Sequence, residues 1–141
     1  MFVNKIKNIL TNLKSKKLGV LGLSFKPNTD DMREAPSIDI INDLLDSGAK
    51  IYVFDPVAMD KAKEIFGERV NYCNNLYKTA ENSDALIILT DWVEFKKIDF
   101  KNIGKLLKRK IIIDGRNMFD PSQMVKLGFK YYSVGRKKYE K

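Results

Sequence analysis

The sequence predicts an α/β fold, a doubly wound parallel sheet of about six strands with helices on both faces. Three observations lead there. Short apolar runs of strand length alternate with segments whose apolar residues recur at helical spacing, the pattern of βαβ units with right-handed crossovers. The strongest runs, Ala85-Leu86-Ile87-Ile88-Leu89 and Ile111-Ile112-Ile113, are apolar at every position, as strands covered on both faces are. The chain is 141 residues long and 44% hydrophobic, which suits one domain with a buried core.

The elements follow in order. Residues 2–15 place Phe2, Ile6, Ile9, Leu10 and Leu13 at helical spacing. Leu18-Gly19-Val20-Leu21-Gly22-Leu23 reads as a first buried strand, followed by a polar loop, Ser24 to Glu34. Pro36 suits a first helical position, Ile38, Ile41, Leu44 and Leu45 form a stripe, and Gly48 stops the helix. Ile51-Tyr52-Val53-Phe54 is the second strand, closed by Asp55-Pro56. A helix from Ala58 to Phe66 stops at Gly67, Val70-Asn71-Tyr72 is a short third strand, and Leu76 to Asn82 a short helix. The strand 85–89 is fourth, Phe100 to Leu107 a helix, and 111–113 the fifth strand. A helix through Met124 to Leu127 ends at Gly128, and Tyr131-Tyr132-Ser133-Val134 is the last strand. Six strands with five connections match a Rossmann-like layout, in which ligands sit beyond the carboxyl ends of the strands at the switch in strand order. That rule selects the loops Ser24–Glu34, Asp55–Val57, Thr90–Phe95 and Asp114–Phe119. With an order 3-2-1-4-5-6, the loops after strands one and four flank the crevice.

Composition removes several chemistries. With no histidine, this chain alone supplies no Ser-His-Asp triad, no Cys-His dyad and no histidine-ligated metal. One cysteine excludes an internal disulfide framework and a cysteine-rich zinc site. Cys73 has no histidine to activate it and reads as a structural or semi-exposed residue. The start, with Lys5 and Lys7 interrupting its apolar residues, is no convincing signal peptide, and no run approaches a membrane span, so a cytoplasmic location with no membrane contact is expected. The net charge of +8 comes from 26 Lys plus Arg against 18 Asp plus Glu, with runs at 14–17, 108–110 and 136–138. It fits a solvated lysine-rich surface first and an anionic small ligand second; no nucleic-acid module appears, and nucleic acid is not expected as a partner.

The first loop departs from a dinucleotide fingerprint. Gly19 to Ser24 reads G-x-x-G-x-S, and ten residues from Phe25 to Glu34 intervene before the helix, which points to a different ligand geometry. Asp55 stands where a ribose-binding acid often lies, but 33 residues after Gly22, so a turn or helix N-terminal contact is the better reading. Lys26 and Arg33 on the first loop and Arg116 after strand five would suit a polyanion if they converge on one rim; the alternative is pairing with Asp30, Asp31, Glu34 and Asp114. Asp30-Asp31 reads as capping, or as pairing with Arg33, rather than as a carboxylate dyad. Gly115 permits either close backbone approach or a positive φ. Trp92 and Phe95 either pack under neighbouring loops or face a ligand or domain contact.

Gly22-Leu23-Ser24-Phe25-Lys26-Pro27-Asn28-Thr29-Asp30-Asp31-Met32-Arg33-Glu34-Ala35-Pro36-Ser37 resembles the signature loop of the C-terminal, UDP-binding domain of the UDP-glucose/GDP-mannose dehydrogenase family. Phe54-Asp55-Pro56, the segment Asp84 to Trp92 with Phe95, and Asp114-Gly115-Arg116-Asn117 fit the same domain, so the resemblance covers about residues 16–136. Pro27-Asn28 after Lys26 is closer to the UDP-glucose branch than to the UDP-N-acetylmannosamine or GDP-mannose branches. The family oxidises a sugar C6 alcohol to a carboxylate in two steps with two NAD+, through a cysteine thiohemiacetal and thioester. The resemblance implies UDP-glucose and UDP-glucuronate as ligands, contacted by Phe25, Lys26 and Arg116, with Arg33 reaching NAD in a closed enzyme. It also implies an N-terminal NAD-binding domain and a homodimer in a full-length enzyme. The NAD fingerprint and the catalytic-cysteine segment are not in this sequence, and no catalytic or metal-ligating residue is assigned. Residues 1–15 are then expected to be the end of a connecting helix or a replaced start, and 16–141 the UDP-sugar-binding domain, inactive alone. The rival expectations are a standalone nucleotide-binding regulatory module and a basic nucleic-acid-binding domain.

Overall fold

The computed structural model describes residues 2–134. The run 136–138 and the end of the expected domain therefore lie outside the described residues. Six parallel strands form one sheet: β1 (Lys17–Leu21), β2 (Lys50–Phe54), β3 (Asn71–Tyr72), β4 (Ala85–Ile88), β5 (Ile111–Asp114) and β6 (Lys130–Ser133). Their order is β3-β2-β1-β4-β5-β6, so the switch lies between β1 and β4, as expected for a doubly wound sheet. The helices are α1 (Phe2–Leu10), α2 (Pro36–Asp46), α3 (Met59–Phe66), α4 (Leu76–Ala80), α5 (Phe100–Leu106) and α6 (Pro121–Lys126), with 3₁₀ turns at Gly67–Arg69 and Val93–Lys97.

Strand alternation explains why both faces need cover. Ala85, Ile87, Ile111 and Ile113 join one core with residues of α1, α2 and α3, whereas Leu86, Ile88 and Ile112 join a second core with residues of α4, α5 and α6. The helices flanking β2 thus cover one face and those of the β4–β6 half cover the other. On its own this arrangement would leave the first face of β5 bare, and α1 fills the gap. Ile6 and Leu10 enter that core, the Phe2 ring lies against Gly115, and Lys5 Nζ donates to the Ser133 carbonyl.

The helix in 2–15 is shorter than its apolar spacing suggests. It ends at Leu10, and Thr11 and Ser15 take positive φ values of 60° and 64°. Leu13 is still buried, but as part of the connection to β1. The first strand likewise ends at Leu21, because Gly22 turns out of the sheet at φ 89°.

Candidate functional site

The candidate site is the carboxyl edge of the sheet at the β1/β4 switch. Its first part is the loop 24–34, and Asp55 anchors it. This carboxylate is completely buried. Its Oδ2 accepts from the amides of Leu23 (2.9 Å) and Ser24 (3.1 Å), from Ser24 Oγ (3.3 Å) and from Trp92 Nε1 (3.3 Å). Its Oδ1 accepts from the amides of Val57 and Ala58, both at 2.9 Å. Among the described residues no cation pairs with it; six donors take the place of water. The charge ties together the loops after β1, β2 and β4, which agrees with the turn and helix N-terminal reading of Asp55.

Gly22 and Thr90 close the switch point. A Cβ on Gly22 would stand 2.6 Å from Thr90 Cβ, so the two chains touch there. Thr90 Oγ1 then donates to the Ser24 carbonyl at 2.8 Å. The single Ser24 Oγ–H is shared between Asp55 Oδ2 and the Lys26 carbonyl, the latter at 2.9 Å, while the Phe25 amide donates to the Asp31 carbonyl at 2.7 Å. The loop is folded on itself, with Phe25 50% exposed and Lys26 exposed at its tip. Trp92 and Phe95 are buried in the second core, so of the two readings offered for them, packing under the loops is the one observed.

The predicted cations each have an identifiable setting. Arg33 grips Asp31 with two bonds, Nε to Oδ1 at 3.1 Å and Nη2 to Oδ2 at 3.0 Å, and its side chain is 89% exposed. The Arg33 side-chain and amide hydrogen bonds, with the Arg33 and Lys26 charges, hold the Asp31 carboxyl down at about 2. The Asp31 carboxylate in turn raises the Arg33 guanidinium. Arg33 lines a groove of about 630 Å³ with Met32, Ile38, Lys61, Glu64 and others, on the side of α2 and α3.

Arg116 follows β5, and its pairing differs from the alternative weighed for it. Its amide donates to Asp114 Oδ1 at 2.9 Å, but its guanidinium pairs with Asp91, Nη2 to Oδ1 at 3.4 Å. Asp114 is fully buried and spent on main-chain and phenol donors, Met118 N at 2.7 Å and Tyr131 Oη at 2.6 Å. Gly115 serves close approach: its amide donates to the Ile88 carbonyl at 2.8 Å and a Cβ would stand 3.0 Å from that oxygen. Lys26 and Arg33 thus share one loop, where Arg33 alone is ion-paired with Asp31, while Arg116 stands at the β4–β5 end with Asp91. Cys73 is half-buried, and burial pushes its thiol up rather than activating it. Among the described residues no cluster of His, Cys, Asp or Glu could hold a metal, and no helix is long and apolar enough to cross a membrane.

Asp91 was not singled out in the sequence. The available signal was an acid directly after the last residues of a central strand, at the edge where ligands sit.

The profile of the UDP-glucose/GDP-mannose dehydrogenase family, UDP binding domain, matches residues 19–121, which takes in the loop 24–34, Asp91 and Arg116. The chain belongs to the UDP-glucose/GDP-mannose dehydrogenase family. It is 43% identical over 134 residues to the UDP-glucose 6-dehydrogenase TuaD of Bacillus subtilis, covering 95% of this chain and 29% of that protein. It is 41% identical over 139 residues to the UDP-glucose 6-dehydrogenase of Rickettsia bellii, covering 97% of this chain and 32% of the relative. The chain therefore spans about a third or less of the length of these relatives. Among solved structures, a UDP-glucose dehydrogenase from Pyrobaculum islandicum superposes with a TM-score of 0.77 at 32% identity, over 94% of this chain and 28% of that one. The NDP-N-acetyl-D-galactosaminuronic acid dehydrogenase of Methanosarcina mazei gives 0.80 at 26% identity, over 96% and 28%. The six-stranded parallel sheet is thus the architecture of this domain in the dehydrogenases.

Proposed function

We propose that this chain is the nucleotide-sugar-binding domain of an NAD-dependent UDP-glucose 6-dehydrogenase, which oxidises UDP-glucose to UDP-glucuronate. The observation that carries the reading is the family match across the loops of the carboxyl edge, in a chain that puts Phe25, Lys26 and Arg116 on those same loops. Lys26 offers a compact charge and Arg116 a planar fork, the two ways side chains meet phosphate. Phe25, half exposed at the loop tip, offers an apolar face for a ring.

NAD enters this proposal only at its margin. The turn after β1 does not fit a dinucleotide pyrophosphate, because Gly22 is filled by Thr90 and the α2 N-terminus lies beyond the ten-residue loop. The Arg33 guanidinium, 89% exposed and held by Asp31 through Nε and Nη2, is the group we assign to NAD, with the remaining contacts supplied by a second domain. That domain also supplies the reactive thiol in the family, so the isolated chain binds UDP-sugar weakly and does not turn over. A homodimer and a cytoplasmic site of action belong to the same proposal. The similarity to the NDP-N-acetyl-D-galactosaminuronic acid dehydrogenase favours a second reading, in which the sugar is an N-acetylated hexose.

Thermal unfolding with added nucleotide tests it. UDP and UDP-glucose should raise the unfolding temperature, since a ligand at about 100 times its Kd adds about 2.7 kcal/mol. Lys26→Ala or Arg116→Ala should abolish the rise. A shift with NAD and none with UDP or UDP-glucose would overturn the proposal.

A further inference from the structure

We infer that Asp91 is the positioning residue for Arg116, holding its guanidinium at the carboxyl edge so that its free donors meet the diphosphate of a nucleotide. The inference rests on the nucleotide-binding reading of Arg116 given above and adds a residue to it.

The two side chains leave neighbouring strands. β4 and β5 pair in parallel with Ile88 opposite Asp114, so the loops bearing Asp91 and Arg116 emerge side by side. The backbone on both sides is fixed without help from the ion pair. Gly115 is bonded to Ile88, the Arg116 amide to Asp114, and Thr90 to Ser24. What remains free is the long Arg116 side chain, 41% exposed, with the rotamer entropy of a guanidinium on three methylenes.

Asp91 is placed to restrict it. The Asp91 side chain is 39% exposed as a whole, yet its Oδ1 is buried and has no hydrogen-bond partner. A buried carboxylate oxygen without a donor is costly, and the Arg116 Nη2 at 3.4 Å is the cation that faces it. At that separation the pair is longer than a charge-assisted hydrogen bond of about 2.7–2.9 Å, so the contact orients the fork without consuming it. The guanidinium has five N–H donors in one plane, and a single edge turned to Asp91 leaves the others for phosphate oxygens.

Electrostatics alone would give the opposite sign. A carboxylate beside a bound diphosphate repels it, so if Asp91 were only a nearby charge, removing it would tighten binding. If it positions Arg116, removing it returns the side chain to many rotamers and weakens binding by about three- to tenfold.

The test is a double-mutant cycle on this chain, with UDP affinity measured by amide-shift titration. Asp91→Ala should weaken UDP by that factor in the wild-type background. It should have no effect, or tighten binding slightly, once Arg116→Ala is present, since there is then nothing to position. Asp91→Asn keeps an acceptor for Arg116 and should recover part of the loss, and the ligand-free melting temperature controls for folding. Tighter or unchanged binding in Asp91→Ala, or an equal loss with and without Arg116, overturns the inference while leaving the nucleotide reading intact. UDP binding that ignores Arg116→Ala overturns the nucleotide reading, and the inference falls with it.

Discussion

Asp55→Asn is the perturbation from which most can be calculated. The wild-type carboxylate presents two acceptor oxygens, with two main-chain amides on Oδ1 and four donors on Oδ2. Asparagine keeps one oxygen and turns the other position into a donor. The better orientation keeps the oxygen towards Leu23, Ser24 and Trp92, and sets the NH2 against the amides of Val57 and Ala58. The buried Ala58 N–H and the part-buried Val57 N–H then lose their acceptor; at about 1–3 kcal/mol for a fully buried donor and less for the partly solvated one, the expected loss is about 2–4 kcal/mol. Against a domain stability of about 5–15 kcal/mol this is severe. Urea unfolding followed by the single tryptophan, Trp92, is the assay, since its Nε1 bonds to the carboxylate that is replaced. With a slope of about 2 kcal/mol per molar, the midpoint should fall by about 1 M or more. A fall of less than about 0.5 M at unchanged slope would refute the idea that six donors on one charge hold the three loops together.

Other expectations follow from the same geometry. Gly22→Ala would force a side chain into φ 89° and within 2.6 Å of Thr90 Cβ, and should cost about 3 kcal/mol or more in denaturation; a loss below about 1 kcal/mol would mean that the switch point can open. Arg33→Ala should return the Asp31 carboxyl from about 2 towards its ordinary 3.8 in an NMR titration, and an unchanged value would place the cause elsewhere. Because the folded value is the lowered one, the stabilisation from this pair is complete above about 4 and fades as pH falls towards 2. Cys73 should alkylate more slowly in the folded chain than after unfolding, since burial raises its thiol; a faster folded-state reaction would contradict the assignment of no catalytic role.

The architecture was readable because its signals are local. Ile111-Ile112-Ile113, short and β-branched throughout, reads as a strand covered on both faces, and the Pro36 and Gly48 pair marks both ends of α2. The edge proposed to bind ligand followed from strand order alone. Two kinds of feature were not readable. Element ends depended on single residues leaving the regular backbone, as Thr11 and Gly22 do, and spacing of apolar residues does not sense that. Partner choice among surface charges was the other. Arg33 with Asp31 is two residues apart and could be guessed, whereas Arg116 with Asp91 joins the loops after two adjacent strands, and the alternative offered by sequence was the nearer Asp114. Asp114 had already been taken by Tyr131 and two amides, a fact visible only once β6 lies beside β5. The role of α1 belongs here too, since nothing in residues 2–10 reveals that they cover β5.

The central claim is that the carboxyl edge of this sheet binds the nucleotide half of a UDP-sugar. Amide shifts of the labelled chain on titration with UDP test it most directly. Perturbations are expected in the loops 24–34, 90–95 and 114–119, and none at the opposite edge around Lys110 and Lys130. Shifts with NAD but none with UDP, or UDP shifts confined to that opposite edge, would contradict it.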